Sequence, residues 1–302
     1  MERKISSKCK FGPNTKRIEI KPTAIIDMKI IPGVGIIVAD YNKRLVVWDI
    51  NQPGIQKSEI ILDAKPYGLA VMNENTIAVS VDHTHIQVID VSKEQVLRTI
   101  EVVSKTIEKP RTHSQSSRNS RSEQEETELQ PITYKNSEVR LWGLDYYAGK
   151  FYIAATDRIV VINETSPPFE NIIKIPNGWI FYLQIHDEKI FFTNYLASSF
   201  VCTTINGDIV FEVNSSALKG PYGFERITQN TFMVTDWVAN KVYKIKEDGT
   251  HTEAVLSKVD GIFKPRTILY ARENGMLLIA CDGGKSLLQR KCRESFININ
   301  KR

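Results

Sequence analysis

Asp145, Gln184 and Glu225 fall at one matching position in three consecutive repeats of the sequence, and hard oxygen donors of this kind can hold a calcium ion. Two other repeats bring Met28 and Ala70 to that position, and neither side chain coordinates a hard cation. Polar groups lining a water-filled channel explain the three equally well. His83-Thr84-His85 sets two imidazoles on one side of an extended turn, but a zinc site needs three or four ligands and no third is in view. Cys9, Cys202, Cys281 and Cys292 form no CxxC pair and read as reduced thiols of a cytoplasmic protein. No Ser-His-Asp pattern, glycine-rich phosphate loop or HExxH occurs. The sequence thus predicts no catalytic residue, no metal ligand and no cofactor.

A second set of residues is suited to binding. Tyr41, Trp142, Tyr195, Tyr222 and Trp237 offer rigid contact area, and Lys43, Lys65, Arg140, Lys241, Lys264 and Arg266 offer positive charge. Aromatic anchors beside arginine are the composition of interface hot spots, so a protein or peptide ligand is the preferred expectation. Single-stranded RNA is the alternative, through base stacking and phosphate contacts. The formal charge of +5 permits an anionic partner without demanding one.

The elements that must position these residues are repeats. The stretch PYGLAVMNENTIAVSVDHTHIQVIDV (Pro66 to Val91) is echoed by LWGLDYYAGKFYIAATDRIVVINE and by PYGFERITQNTFMVTDWVANKVYKIKED. Gly68, Gly143 and Gly223 sit at the same point, each after an aromatic residue: Tyr67, Trp142 and Tyr222. Further copies begin near Ala24, Ile180 and Arg266, which makes six at a period of about 40 residues. Within each copy, short runs rich in Val, Ile, Tyr and Phe are bounded by Gly, Asn and Asp, the signal of strands. Asn206-Gly207 and Asp248-Gly249 are expected to close hairpins through two-residue type I′ turns. Asp40, Asp82, Asp157, Asp236 and Asp282 each end a second strand, where a carboxylate caps backbone N–H groups.

Six four-stranded antiparallel units suit an all-β, six-bladed β-propeller, which hides strand edges by radial repetition. The last copy is short of a strand. After Ile279 the expected candidate is SFININ (Ser295 to Asn300), and the orphan strand RIEIKP (Arg17 to Pro22) is expected to pair with the sixth blade and lock the ring. Successive strands alternate direction, so the loops joining strands two and three share a face with the starts of the inner strands. DYNK, DHTH, NYLASS and DWVANK therefore lie beside Lys65, Tyr67, Trp142, Tyr222, Lys264 and Arg266 on one rim.

The blade phrase of aromatic-Gly-Leu, then IAVSVD, then HIQVIDV resembles NHL repeats, most of all the C-terminal propellers of tripartite-motif (TRIM-NHL) proteins. The likeness covers about residues 14 to 302. It implies a substrate-recognition propeller in the ubiquitin pathway, and some NHL propellers bind RNA. The family's RING finger and B-boxes have no counterpart in this chain, so ubiquitin transfer is not carried over. Other six-bladed propellers of similar build are calcium-dependent lactonases or esterases that act at the channel mouth, which is the second alternative.

Residues 1–13 read as a tail. Lys105 to Glu138, rich in Ser, Arg and Glu and nearly free of apolar side chains, reads as a disordered insertion between blades two and three. Its SQSSRNSRS run places serines beside arginines, where phosphate would invert the local charge. The first residues contain no apolar secretory core, and no apolar run approaches the roughly 20 residues of a membrane span.

Overall fold

The computed structural model describes residues 15–19, 24–102, 140–165, 171–176, 178–214, 216–250 and 252–291. Strand β1 (Thr15–Glu19) precedes the first blade. Blade one is β2 (Ile25–Ile31), β3 (Gly35–Asp40), β4 (Arg44–Trp48) and β5 (Gln56–Ile61). Blade two is β6 (Pro66–Val71), β7 (Thr76–Val81), β8 (His85–Asp90) and β9 (Gln95–Glu101). Blade three is β10 (Leu141–Tyr147), β11 (Lys150–Ala155), β12 (Arg158–Asn163) and β13 (Asn171–Lys174). Blade four is β14 (Ile180–His186), β15 (Lys189–Asn194), β16 (Ser199–Thr204) and β17 (Ile209–Val213). Blade five is β18 (Pro221–Thr228), β19 (Thr231–Asp236), β20 (Lys241–Lys246) and β21 (Thr252–Leu256). The sixth sheet runs β22 (Ile268–Ala271), β23 (Met276–Cys281), β24 (Ser286–Lys291), then β1. All the sheets are four-stranded and antiparallel, and together they form a six-bladed β-propeller. Two 3₁₀ turns, Lys258–Asp260 and Asp282–Gly284, are the helical elements among the described residues.

The pattern of side chains explains the stacking. Middle strands such as β3 and β23 are buried at every position because each sheet is covered on both faces by its neighbours. Outermost strands such as β9 alternate, with one side packed and one in water. The core divides into apolar clusters, each shared by two adjacent blades. Ile37, Leu45, Leu69 and Val79 join blades one and two, and Met28, Val38, Leu269 and Leu278 join blades one and six. The phenylalanines Phe191, Phe200, Phe224 and Phe232 fill the space between blades four and five. No blade has a core of its own, so the ring stands or falls as one unit.

Closure by the N-terminal strand is seen, with Thr15 opposite Arg290 and Glu19 opposite Ser286. Arg17 pairs with Asp282 and also donates to Ser286 Oγ at 3.1 Å. The third strand of this blade is Ser286–Lys291, which corrects the expectation of Ser295 to Asn300. SLLQRK follows the Asp282–Gly284 turn directly, and its Leu287 and Leu288 are buried on the two sides of the sheet. SFININ lies outside the described residues, as do Cys9, Cys292, the N-terminal tail and the Lys105 to Glu138 segment.

Two turns also differ from expectation. Gly207 N donates to Thr204 O at 3.0 Å and Gly249 N donates to Lys246 O at 2.9 Å. In each pair the glycine alone has a positive φ, +98° and +70°. These are turns with the left-handed glycine in last place and not two-residue type I′ turns. The aspartates that end second strands do cap backbone: Asp236 accepts from Lys219 N, Gly220 N and Ala239 N, and Asp40 accepts from Asn42 N. Asp82, by contrast, is exposed.

Candidate functional site: an aromatic crescent and a bridged channel

Two positions in each blade build the rim. The first is the residue just before the glycine of the repeat, and there Tyr67, Trp142, Phe181, Tyr222 and Arg266 follow one another around the axis. Their groups touch in sequence. Tyr67 meets Trp142 edge-on at 5.5 Å, Trp142 meets Phe181 at 5.0 Å, Phe181 stacks on Tyr222 at 4.6 Å, and the Arg266 guanidinium lies 5.4 Å above Tyr222. In blade one the place belongs to Ile26, which turns into the core and ends the arc.

The second position follows the strand-ending aspartate or asparagine. It supplies Tyr195, 5.5 Å from Phe181, and Trp237, 5.9 Å from Tyr222, while in blade two His83, one residue further into the turn, stacks on Tyr67 at 3.8 Å. In blade six this residue is Gly283, and a Cβ there would stand 3.2 Å from the Trp237 ring. The result is a crescent of ring-to-ring contacts over blades two to five. Burial holds the His83 imidazole below its ordinary pKa and the Tyr67 and Tyr222 hydroxyls above theirs, so the rings of the crescent are uncharged at neutral pH and Arg266 is its one charged member.

Glycine is what lets the inner strands come this close. A Cβ on Gly68 would lie 2.7 Å from Trp142 O and Leu144 N, and one on Gly143 would lie 2.8 Å from Phe181 O. Each would collide with the backbone of the next blade, which no side-chain rotation relieves.

The predicted binding residues therefore separate into groups. Trp142, Tyr195, Tyr222, Trp237 and Arg266 lie together in the crescent. Tyr41 and Lys65 form a separate pair over blade one, with the ammonium 4.5 Å above the ring. Lys43 turns aside to donate to Asp63 O, Lys241 lies 5.9 Å from the Tyr243 ring, and Lys264 lies over Phe263. Sequence reasoning missed Phe181 and Trp179, and it placed His83 on the rim without its stacking on Tyr67. Three donors of the crescent, Trp142 Nε1, Trp179 Nε1 and Arg266 Nε, are buried with no acceptor among the described residues. The stems of the Lys105 to Glu138 segment stand beside it, since Val102 N donates to Thr84 O and Leu141 N to His83 O. Exposed Leu196, Val238 and Phe263 extend the apolar surface outward.

Several carboxylates of this face are engaged by arginines. Asp40 pairs with Arg44, Asp157 with Arg158, Asp260 with Arg290 and Asp282 with Arg17. The cations around the crescent are left in excess.

The channel itself differs from the expected alignment. Asp27 holds in blade one the place of the repeat glycine, just after a bulge that recurs in blades two to five, so Lys29 and not Met28 stands level with Ala70, Asp145, Gln184 and Glu225. Met28 is buried in the cluster between blades one and six. Lys29 Nζ donates to Tyr182 Oη at 2.9 Å. Burial favours the neutral amine, but Tyr182, Asp27, Asp145 and Glu225 outweigh it and raise the Lys29 pKa. Gln184 turns its Nε2 toward Phe224 O and Glu225 Oε2, and its Oε1 lies 3.0 Å from His186 Nε2. An ammonium at the centre and an amide presenting its NH₂ group oppose a divalent cation. Among the described residues no group of three metal-ligating side chains occurs.

No protein-family model and no curated protein sequence matches the chain. Its fold, in contrast, is shared by 1661 solved chains, too common a likeness to nominate an activity. One is the β-propeller domain of Cps50 (Swd1) from Myceliophteria thermophila. It matches 91% of this chain and 99% of its own length at a TM-score of 0.60 and 9% identity. The likeness establishes a β-propeller. No helix among the described residues is long and apolar enough to cross a membrane.

Proposed function

We propose that this chain is a non-catalytic binding propeller that takes a protein or peptide partner on the aromatic crescent. The observation that carries this reading is the unbroken series of ring contacts from Tyr67 to Trp237, capped by Arg266. Rigid aromatic area with an arginine at its edge is what a protein hot spot needs. With several carboxylates of the face already engaged, a partner with apolar anchors flanked by acidic side chains fits best. The role is the one suggested by the resemblance to TRIM-NHL substrate-recognition domains, in a cytoplasmic setting and in the service of a ubiquitin ligase.

Single-stranded RNA is the second reading, favoured by the stacking of Lys65 on Tyr41 and Arg266 on Tyr222. Lys29 stands against the lactonase alternative. The test is affinity capture with the wild-type chain, followed by titration of the captured ligand at several salt concentrations. Trp237→Ala should weaken either kind of ligand by about 1–3 kcal/mol. A protein ligand held by aromatic anchors should show a shallow salt dependence. A steep dependence on single-stranded RNA, flattened by about 0.7 in slope in Lys241→Ala or Arg266→Ala, would put RNA first.

A further inference from the structure

A pocket of about 420 Å³ opens at the mouth of the channel opposite the crescent. Its walls come from the far ends of the inner strands and the turns after them, and its innermost polar groups are Lys29, Asp145, Gln184 and Glu225. Arg272 and Glu273 stand at the opening. The Lys29–Tyr182 bond crosses the channel above the pocket, and Lys29 forms part of the floor of this cup.

Charges of both signs face this cup, yet none of them makes a contact ion pair there. Lys29 has no carboxylate within salt-bridge distance and spends one hydrogen bond on Tyr182. Glu225 has one side-chain partner, Gln184, on Oε2. Asp145 accepts one backbone N–H on each oxygen, from Tyr146 and Ile185. Arg272 donates once, to Arg226 O. Deeper in, Asp27 is fully engaged with Met28 N, Leu69 N and Thr267 Oγ1 and takes no part. The groups short of partners are thus two cations, Lys29 and Arg272, and two carboxylates, Glu225 and Glu273, with Asp145 able to accept more. Charges placed in a cavity without a paired neighbour are costly, and a ligand that supplies both signs offsets that cost.

We propose that this cup binds a small zwitterion, of the size and chemistry of a free α-amino acid. Its carboxylate lies toward Lys29 and Arg272, and its ammonium lies toward Glu225 and Asp145. Lys29 attracts Asp145 and Glu225 across the cup without touching either, so a simple anion would compete with them for that ammonium, and a simple amine would give Lys29 and Arg272 no counter-charge in contact. A divalent cation meets the Lys29 ammonium and the NH₂ end of Gln184. The volume lies at the small end of ligand pockets, which run from roughly 300 to 1,000 Å³, and suits a compact ligand. Tyr146, Ile185, Leu269 and Tyr270 supply apolar wall for an amino-acid side chain.

The test uses the full chain, with thermal melting and calorimetry against each standard L-amino acid at millimolar concentration. Acetate, methylammonium and Ca²⁺ are run beside them. At least one amino acid should raise the melting temperature in a saturable way that neither acetate nor methylammonium reproduces. Binding should weaken roughly tenfold or more in Glu225→Gln and in Arg272→Gln, the latter an exposed site chosen because Lys29→Met removes a structural bond. The proposal is overturned if no amino acid shifts the melt, if acetate or methylammonium alone matches the effect, if Ca²⁺ is the stabilising species, or if both variants bind as the wild type does.

Discussion

The Lys29 ammonium donates to the Tyr182 hydroxyl at 2.9 Å, and this bond joins blade one to blade four, which stand opposite each other in the ring. Tyr182 occupies the place that glycine holds in blades two, three and five, so its ring reaches where those blades leave room. Tyr182→Phe should cost about 1.5–3 kcal/mol, the scale of a hydrogen bond to a charged group. Lys29→Met should cost more, since Asp27, Asp145 and Glu225 then lose their shared cation. Urea denaturation reads both, and wild-type stability in the two variants would show that the axial bond carries no load.

The pH dependence has opposing parts. Burial pushes the Glu225 carboxyl up to about 7 against the pull of Lys29, so its contribution is full below pH 4.5 and is lost as pH rises through 7. Burial raises Asp145 and Asp27 in the same sense. Burial also pushes the His186 imidazole down to about 4, so its contribution is full above pH 6.5 and is lost as pH falls through 4. The wild type should therefore change little between pH 4.5 and 6.5. His186→Gln should lose stability steadily as pH rises over that span, and a flat profile in the variant would contradict the assignment.

Gly143→Ala should destabilise the ring by about 1–3 kcal/mol or more, because the added methyl meets backbone atoms of blade four. Gly149→Ala, where nothing lies within 4 Å of the new Cβ, separates crowding from conformational strain: its φ of +77° leaves strain as the sole cost. Thermal melts of the two should rank Gly143→Ala as the worse.

Deleting Met1–Pro22 removes β1 and with it the five-residue ladder to β24 and the Arg17 contacts with Asp282 and Ser286. The variant should melt earlier by several kcal/mol and aggregate through the exposed edge of β24. Light scattering alongside the melt checks both parts. An unchanged melting temperature would mean that β1 adds nothing to closure.

The propeller was legible in the sequence because its blades share a phrase with one glycine and one strand-ending aspartate at fixed places. What escaped was set by local departures from that phrase. Blade four carries Tyr182 in place of the glycine, which hid Phe181 as a member of the crescent. Blade one carries Asp27 in the glycine's place, which removes the landmark of its register and exchanged Met28 for Lys29 at the centre of the channel. SLLQRK ends in charged residues and follows a glycine pair, which masks the strand; what makes it one is burial of Leu287 and Leu288 against the adjacent blades. The rim residues were found by type, but which of them touch depends on ring packing between blades, and spacing along the chain does not encode that.

The pairing of β1 with β24 also sets an order of events during synthesis. Arg17 and Asp282, which meet across that seam, are separated by 265 positions, so the first strand leaves the ribosome long before its partner exists. Until then the nascent chain holds an unpaired strand and a gap beside blade one, with the apolar faces of Met28 and Val38 uncovered. Contacts this far apart fold slowly and expose surface while they wait, so the last step of biogenesis is the one most open to chaperone capture or to pairing with a second nascent chain.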